Sequence, residues 1–195
     1  TLSSSSAASD VYKRQGMKVI PTKLKDCVVI EPRVFGDHRG FFLETFQADR
    51  YAEEANITLP FVQDNHSRSG QGVLRGLHFQ VRKPQGKLVR VVSGEVFDVA
   101  VDLRRDSPSF GQWEGVYLSG DNKRQFWVPP GFAHGFVVVS ETADFEYKCT
   151  DYYDPTDEGS IAWNDPELAI DWPEGLEVKL SEKDANAPGF REYCE

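Results

Sequence analysis

Four histidines occur in the 195-residue chain, at positions 38, 66, 78 and 134, and two of them lie where proton chemistry could be run. His78 sits in Leu74-Arg75-Gly76-Leu77-His78-Phe79-Gln80, a basic stretch interrupted by glycine. An imidazole titrates near neutrality, so a small shift makes it a general base; a hydrogen-bonded structural histidine is the alternative. Arg75 precedes it by three residues, which places the two side chains on opposite faces of a strand unless Gly76 opens a bulge. His134 lies in the apolar, turn-rich run Pro129-Pro130-Gly131-Phe132-Ala133-His134-Gly135-Phe136. His38 and His66 read as structural or peripheral.

A transition-metal site in a β-barrel wants His-x-His, a carboxylate and a later histidine. Here Gln80 stands two residues after His78, so His78 and His134 are the only good ligands and no metal is expected. Tyr147-Lys148-Cys149-Thr150-Asp151-Tyr152-Tyr153 holds three tyrosines; each is either an amphipathic packing residue or, inside a barrel, a protonated phenol able to donate. Ser181-Glu182-Lys183-Asp184 fits a helix-start capping box with Asp184 in the reciprocal position. Arg39, Arg75, Lys87 and Lys183 could hold phosphate if they converge, and are solvated surface charge if they do not.

These residues need a scaffold, and the chain reads as mostly β. Val28-Val29-Ile30 is an apolar run, Gly36 to Gly40 a turn-rich segment, and Phe41 to Phe46 an aromatic strand. The clearest strand pair runs from Lys87 to Val92 and from Glu95 to Leu103 about a turn at Ser93-Gly94, with Phe97, Val99 and Val101 sharing one face. Val137-Val138-Val139 and Phe145 to Thr150 add strands, and Gln47 to Ala55 predicts one short helix. Closely spaced strands, recurring Gly and Pro and no long helical period favour an all-β sandwich or barrel of the jelly-roll kind over a parallel α/β sheet.

Residues 1–16 are Ser- and Ala-rich and read as a disordered leader or an extension foreign to the rest, with a single domain over 17–195. The net charge of -9 argues against broad nucleic-acid binding, and no apolar run is long enough for a membrane helix. Three cysteines without a CxxC spacing suit free thiols in a reducing cytosol.

Over residues 17 to about 185 the chain resembles the dTDP-4-dehydrorhamnose 3,5-epimerase family. Nine runs in order carry the resemblance: Phe35 to Phe42, Val62 to Ser67, Val73 to Gln80, Gln85 to Arg90, Gly94 to Asp102, Pro130 to Phe136, Tyr147 to Tyr153, Gly159-Ser160-Ile161 with Trp163-Asn164-Asp165, and Ser181-x-Lys183-Asp184. The resemblance implies a cupin-type jelly roll with a few short peripheral helices. It also implies a cytoplasmic homodimer that works without metal or organic cofactor on a dTDP-linked 4-keto-6-deoxysugar in dTDP-rhamnose biosynthesis. By the same resemblance His78 is the base, Asp184 its partner in a His–Asp dyad, Lys87 the group that stabilises the enolate and Tyr147 the acid on the opposite face. Phe35, Arg39, Glu44, Gln63, Asn65, Arg75, His134, Glu158 and Lys183 match the family's substrate-binding positions, with Phe41 and Tyr153 as further aromatic walls.

Overall fold

The computed structural model describes residues 16–195. The expected leader lies outside the described residues apart from Gly16. Thirteen strands and three short helices make up the described chain, and two antiparallel sheets face one another. The first sheet runs β1 (Lys18–Pro21), β2 (Val28–Glu31), β10 (Gln125–Val128), β7 (Lys87–Ser93), β12 (Thr142–Cys149) and β5 (Gln63–Gly70). The second runs β13 (Glu158–Ser160), β6 (Leu74–Gln80), β11 (Phe132–Val138), β8 (Glu95–Asp102) and β9 (Trp113–Ser119). A separate hairpin, β3 (Val34–Asp37) with β4 (Gly40–Leu43), stands apart from both. This is the double-sheet jelly roll expected.

The inner strands of both sheets are buried on both faces, and the apolar runs follow from that. Between the sheets, Val89, Val91, Phe126 and Phe145 meet Val96, Ala100, Leu118, Phe136 and Val138. The outer face of the five-stranded sheet, with Phe97, Val99 and Val101 together as expected, packs under the C-terminal segment through Ile161, Leu168 and Phe190. The outer face of the six-stranded sheet, with Ile30, Leu88 and Trp127, is covered by Tyr51 and Ala55 of helix α1 (Ala48–Ala55) and by Ile57. Each fully buried Val, Leu or Phe contributes about 1.5–3 kcal/mol, so a sheet covered twice is stiff. Helices α2 (Glu182–Ala185) and α3 (Phe190–Cys194) are peripheral.

Two expectations are corrected. The strands on either side of Ser93-Gly94 exist, but β7 and β8 do not pair; they belong to opposite sheets. Gly94, at φ 82°, turns the chain from one layer to the other, where an added Cβ would lie 2.0 Å from the Thr142 carbonyl oxygen. Sequence periodicity reports each strand and is silent on which layer it joins. The aromatic strand expected over Phe41 to Phe46 ends at Leu43, which pairs with Val34, the first residue of β3, so the ladder has no partner beyond it.

Candidate active site

A cavity of about 650 Å³ opens between the two sheets, and its two walls carry different chemistry. Arg75, His78 and His134 enter from the five-stranded sheet, on β6 and β11. Asn65, Lys87 and Tyr147 enter from the six-stranded sheet, on β5, β7 and β12. The C-terminal segment closes one side with Lys183 and Asp184, and Tyr153 and Glu158 form the rim.

The question of faces at Gly76 is settled by the register. His134 pairs with His78 and Phe136 with Arg75, so three steps along β6 match two along β11. That surplus residue is a bulge, and it turns Arg75 and His78 to the same cavity. Gly76 has φ 137°, and a Cβ there would lie 2.6 Å from the Gly135 Cα, so only glycine fits between the strands.

His78 Nε2 lies 2.6 Å from Asp184 Oδ1, while Asp184 Oδ2 accepts the Gly76 N–H at 3.1 Å. The capping box is therefore half made. The Ser181 hydroxyl accepts the Asp184 N–H at 3.1 Å, but the Asp184 carboxylate turns inward to the imidazole instead of back to the helix start. Burial alone would raise the Asp184 carboxyl; the His78 hydrogen bond and charge and the Gly76 N–H more than offset it and hold the group below its ordinary value. An ionised carboxylate accepts, so Nε2 carries the hydrogen and Nδ1 is left as the basic nitrogen.

A second buried pair lies beside the first. His134 Nε2 sits 2.9 Å from both oxygens of Asp98, which is fully buried on β8. Desolvation pushes the Asp98 carboxyl up against the opposing pull of His134 and Lys87. Asp98 escaped the sequence reading, although its signal was present: it is the one charged residue inside the apolar alternation from Val96 to Val101.

On the facing wall, the Lys87 ammonium makes no hydrogen bond or ion pair among the described residues and lies 5.7 Å from the centre of the Tyr147 ring. Burial lowers its pKa, opposed by Cys149, Glu158 and Asp98, so an unpaired amine faces a cavity that invites an anion. Tyr147 is pushed the other way: desolvation, with the Cys149 charge, raises its phenol above the ordinary value while a hydrogen bond with Asn65 lowers it. The phenol therefore keeps its proton near neutrality. Asn65 in turn accepts from Gln63 Nε2 at 3.1 Å, and Gln63 Oε1 accepts the Tyr153 N–H at 3.0 Å. Gln63 thus braces the site from outside the cavity lining.

Glu158 Oε1 lies 2.6 Å from Lys183 Nζ and 3.7 Å from His78 Nδ1, and Glu158 Oε2 accepts the Tyr153 hydroxyl at 2.7 Å. Burial would raise this carboxyl, but the hydrogen bonds from Lys183 and Tyr153 and the charges of His78 and Lys183 bring it net below its ordinary value. Arg75 Nε donates to Ser69 Oγ at 3.0 Å, which fixes the guanidinium at the cavity edge. Of the four candidate phosphate cations, Arg75, Lys87 and Lys183 converge.

Arg39 does not. It is exposed at the tip of the β3–β4 hairpin and bound to Asp37. Phe35 and Glu44 line a small separate cleft with Arg50, and Glu44 is ion-paired to Arg50. Phe41 is 62% exposed on the same hairpin. His66 faces outward and bonds Asp144 at 2.9 Å. No group of three or more His, Cys, Asp and Glu side chains among the described residues is disposed to hold a metal, and Gln80 commits its amide to the backbone of Lys83, Tyr152 and Asp154.

Comparison with known proteins bears on this site. Residues 21–192 match the dTDP-4-dehydrorhamnose 3,5-epimerase family. The chain is 59% identical over 174 residues to the dTDP-4-dehydrorhamnose 3,5-epimerase of Pseudomonas aeruginosa, covering 89% of this chain and 96% of that one. It is 57% identical over 173 residues to the enzyme of the same name from Salmonella typhimurium, covering 88% and 94%. Among solved structures it is similar to dTDP-6-deoxy-D-glucose-3,5-epimerase from Legionella pneumophila, in complex with dTDP-4-keto-L-rhamnose, with a TM-score of 0.87, 63% identity and coverage of 89% and 92%.

Proposed function

The chain belongs to the dTDP-4-dehydrorhamnose 3,5-epimerase family, and from that premise we propose that it inverts C3 and C5 of dTDP-4-dehydro-6-deoxy-D-glucose to give dTDP-4-dehydro-L-rhamnose. The observation that carries the reading is the division of the cavity: a histidine on one sheet, paired with Asp184 of the C-terminal segment, faces a protonated tyrosine and an unpaired lysine on the other sheet.

The C4 keto group acidifies the hydrogens on C3 and C5 alike, so each inversion needs a base on one side of a planar enolate and an acid on the other. His78 Nδ1 takes the proton, and Asp184 holds the imidazole in the needed tautomer and stabilises the imidazolium. Lys87 stabilises the enolate oxygen where negative charge develops. Tyr147 returns a proton from the opposite wall, which inverts the centre. A proton leaves and a proton returns with no change of oxidation state, so the reaction needs no oxidant or reductant, and the charge of the enolate falls to Lys87. Arg75, His134, Asn65 and Lys183 hold the sugar and the diphosphate, whose charge the cations at the cavity edge complement.

The proposal includes a homodimer in the cytoplasm. The β3–β4 hairpin, which leaves Val34, Phe41 and Phe42 exposed, is the apolar surface a second copy would cover. Phe35, Arg39 and Glu44, removed from this chain's own cavity, would then serve the partner's cavity. Cys27, Cys149 and Cys194 are all free thiols, which suits a reducing compartment, and no described helix is long and apolar enough to cross a membrane.

The test is incubation of the purified protein with dTDP-4-dehydro-6-deoxy-D-glucose in deuterated water, followed by NMR. Deuterium at both C3 and C5 of the product is expected; label at one carbon alone would sink the double inversion.

A further inference from the structure

Two inversions by one base impose a demand that a base and an acid do not meet by themselves. After the first, His78 holds the proton it removed and Tyr147 lacks the one it gave. Neither can act on the second carbon until each has exchanged with water, and the sugar then fills the cavity between them.

The surroundings of His78 offer one outlet. Its Nε2 side is closed: Asp184 is 4% exposed, and its second oxygen is taken by the Gly76 N–H. The proton removed from carbon therefore rides on Nδ1. Glu158 Oε1 stands 3.7 Å from that nitrogen, a small closure from a direct hydrogen bond. The Glu158 side chain is only 8% exposed, yet both of its other partners reach solvent: Lys183, with a side chain 54% exposed, and Tyr153, 51% exposed. The carboxylate spans the interval between a half-buried imidazole and open water.

We propose that Glu158 is a proton-relay residue that empties His78 between the two inversions. His78 Nδ1–H passes its proton to the Glu158 carboxylate, which releases it to water at the Tyr153–Lys183 rim, while the Tyr147 phenolate takes a proton from water. One proton leaves and one enters, and only N–H and O–H bonds change. Because its partners favour the ionised form, Glu158 is ready to accept near neutrality and hands the proton on instead of storing it. This role rests on the double-epimerase reading and differs from the substrate contact that the resemblance implies for Glu158.

The experiment is single-turnover NMR in deuterated water with dTDP-4-dehydro-6-deoxy-D-glucose, comparing wild type, Glu158→Gln and Glu158→Asp. In Glu158→Gln the ratio of the second exchange rate to the first falls at least about tenfold, a singly inverted sugar accumulates, and rising formate concentration restores the ratio. Glu158→Asp, which keeps a carboxylate, retains a ratio close to wild type. Should Glu158→Gln fail to fold, Tyr153→Phe gives the second reading, because losing the hydroxyl at the exit lowers the same ratio. Equal slowing of both exchanges without rescue by formate would assign Glu158 to binding alone and overturn the relay, as would an unchanged ratio. Wild-type protein that labels one carbon only would remove the double-epimerase premise, and the relay with it.

Discussion

The cavity wall built on β6, β8 and β11 and the hairpin formed by β3 and β4 contrast sharply. The wall is buried on both faces, every residue of β11 is buried, and each of its two histidines is held by a buried carboxylate. The hairpin is a two-stranded ribbon with Phe41 and Phe42 more than half exposed and Arg39 tied only to its neighbour Asp37. A two-stranded ribbon is marginal by itself. Under the proposed function the base of a proton transfer, which tolerates little misplacement, sits on the stiff wall, whereas the hairpin carries residues suited to gripping a ligand or a second copy, a task that tolerates motion.

Substitutions can break or sharpen this contrast. The largest effect belongs to the wall. His78→Asn should lower kcat by about 10²–10⁴-fold with dTDP affinity, measured by calorimetry, nearly unchanged, and Asp184→Asn should fall in the same range because an amide favours the wrong tautomer. A loss of affinity equal to the loss of turnover would mean that the wall binds and does not catalyse.

Next comes pH. Burial holds Lys87 below its ordinary value and Tyr147 above its own, so kcat/KM should decline on the alkaline side as Lys87 loses its proton, below the ordinary lysine value of about 10.4. Lys87→Arg, whose cation does not titrate, should retain measurable activity and lose that limb. An unchanged limb would reassign it to Tyr147.

A smaller effect is expected from the hairpin. Arg39→Ala should raise KM by about tenfold or less with kcat within a factor of about two, the signature of uniform binding. A kcat loss as large as that of His78→Asn would erase the distinction between the two regions.

The smallest concerns stability. Asp184, Glu158 and Asp102 have folded pKa values below their unfolded ones, so the stability they add is fully present above the unfolded carboxylate range and is lost as pH falls through the folded values. Tm should therefore drop below about pH 4, and Asp184→Asn should flatten that drop by on the order of 2–4 °C per kcal/mol removed. Thermal scans between neutral pH and pH 3 read it directly.

Much of the wall was legible in the residues, and the reason is periodicity. Phe97, Val99 and Val101 alternate and do share a face, and the helix over 48–55 lies where Gln47 to Ala55 predicts it. The polar strand β5, Gln63 to Gly70, escaped detection: it is an edge strand whose sequence lacks β-branched and apolar residues, so its neighbour β12 and not its composition makes it a strand. Layer assignment was equally hidden, as β7 and β8 show, because a turn and a layer crossing use the same glycine chemistry. At the site, His78, Lys87, Tyr147 and Asp184 converge as the resemblance implies, whereas Asp98 shows only as a charge misplaced in an apolar run. Phe35, Arg39 and Glu44 lie away from this chain's cavity, and under the proposed homodimer their place would be set by assembly, which no local pattern encodes.

The bulge at Gly76 makes the site a matter of parity. Arg75 and His78, three residues apart, share a cavity only because one residue between them stays out of the ladder. Were β6 to slip by that residue with no atom lost, every position on one side of the bulge would swap faces and the guanidinium would leave the imidazole. Loss of the surplus residue would instead leave the two side chains two apart and on one face, so this stretch is more exposed to a slip of register than to a shortening.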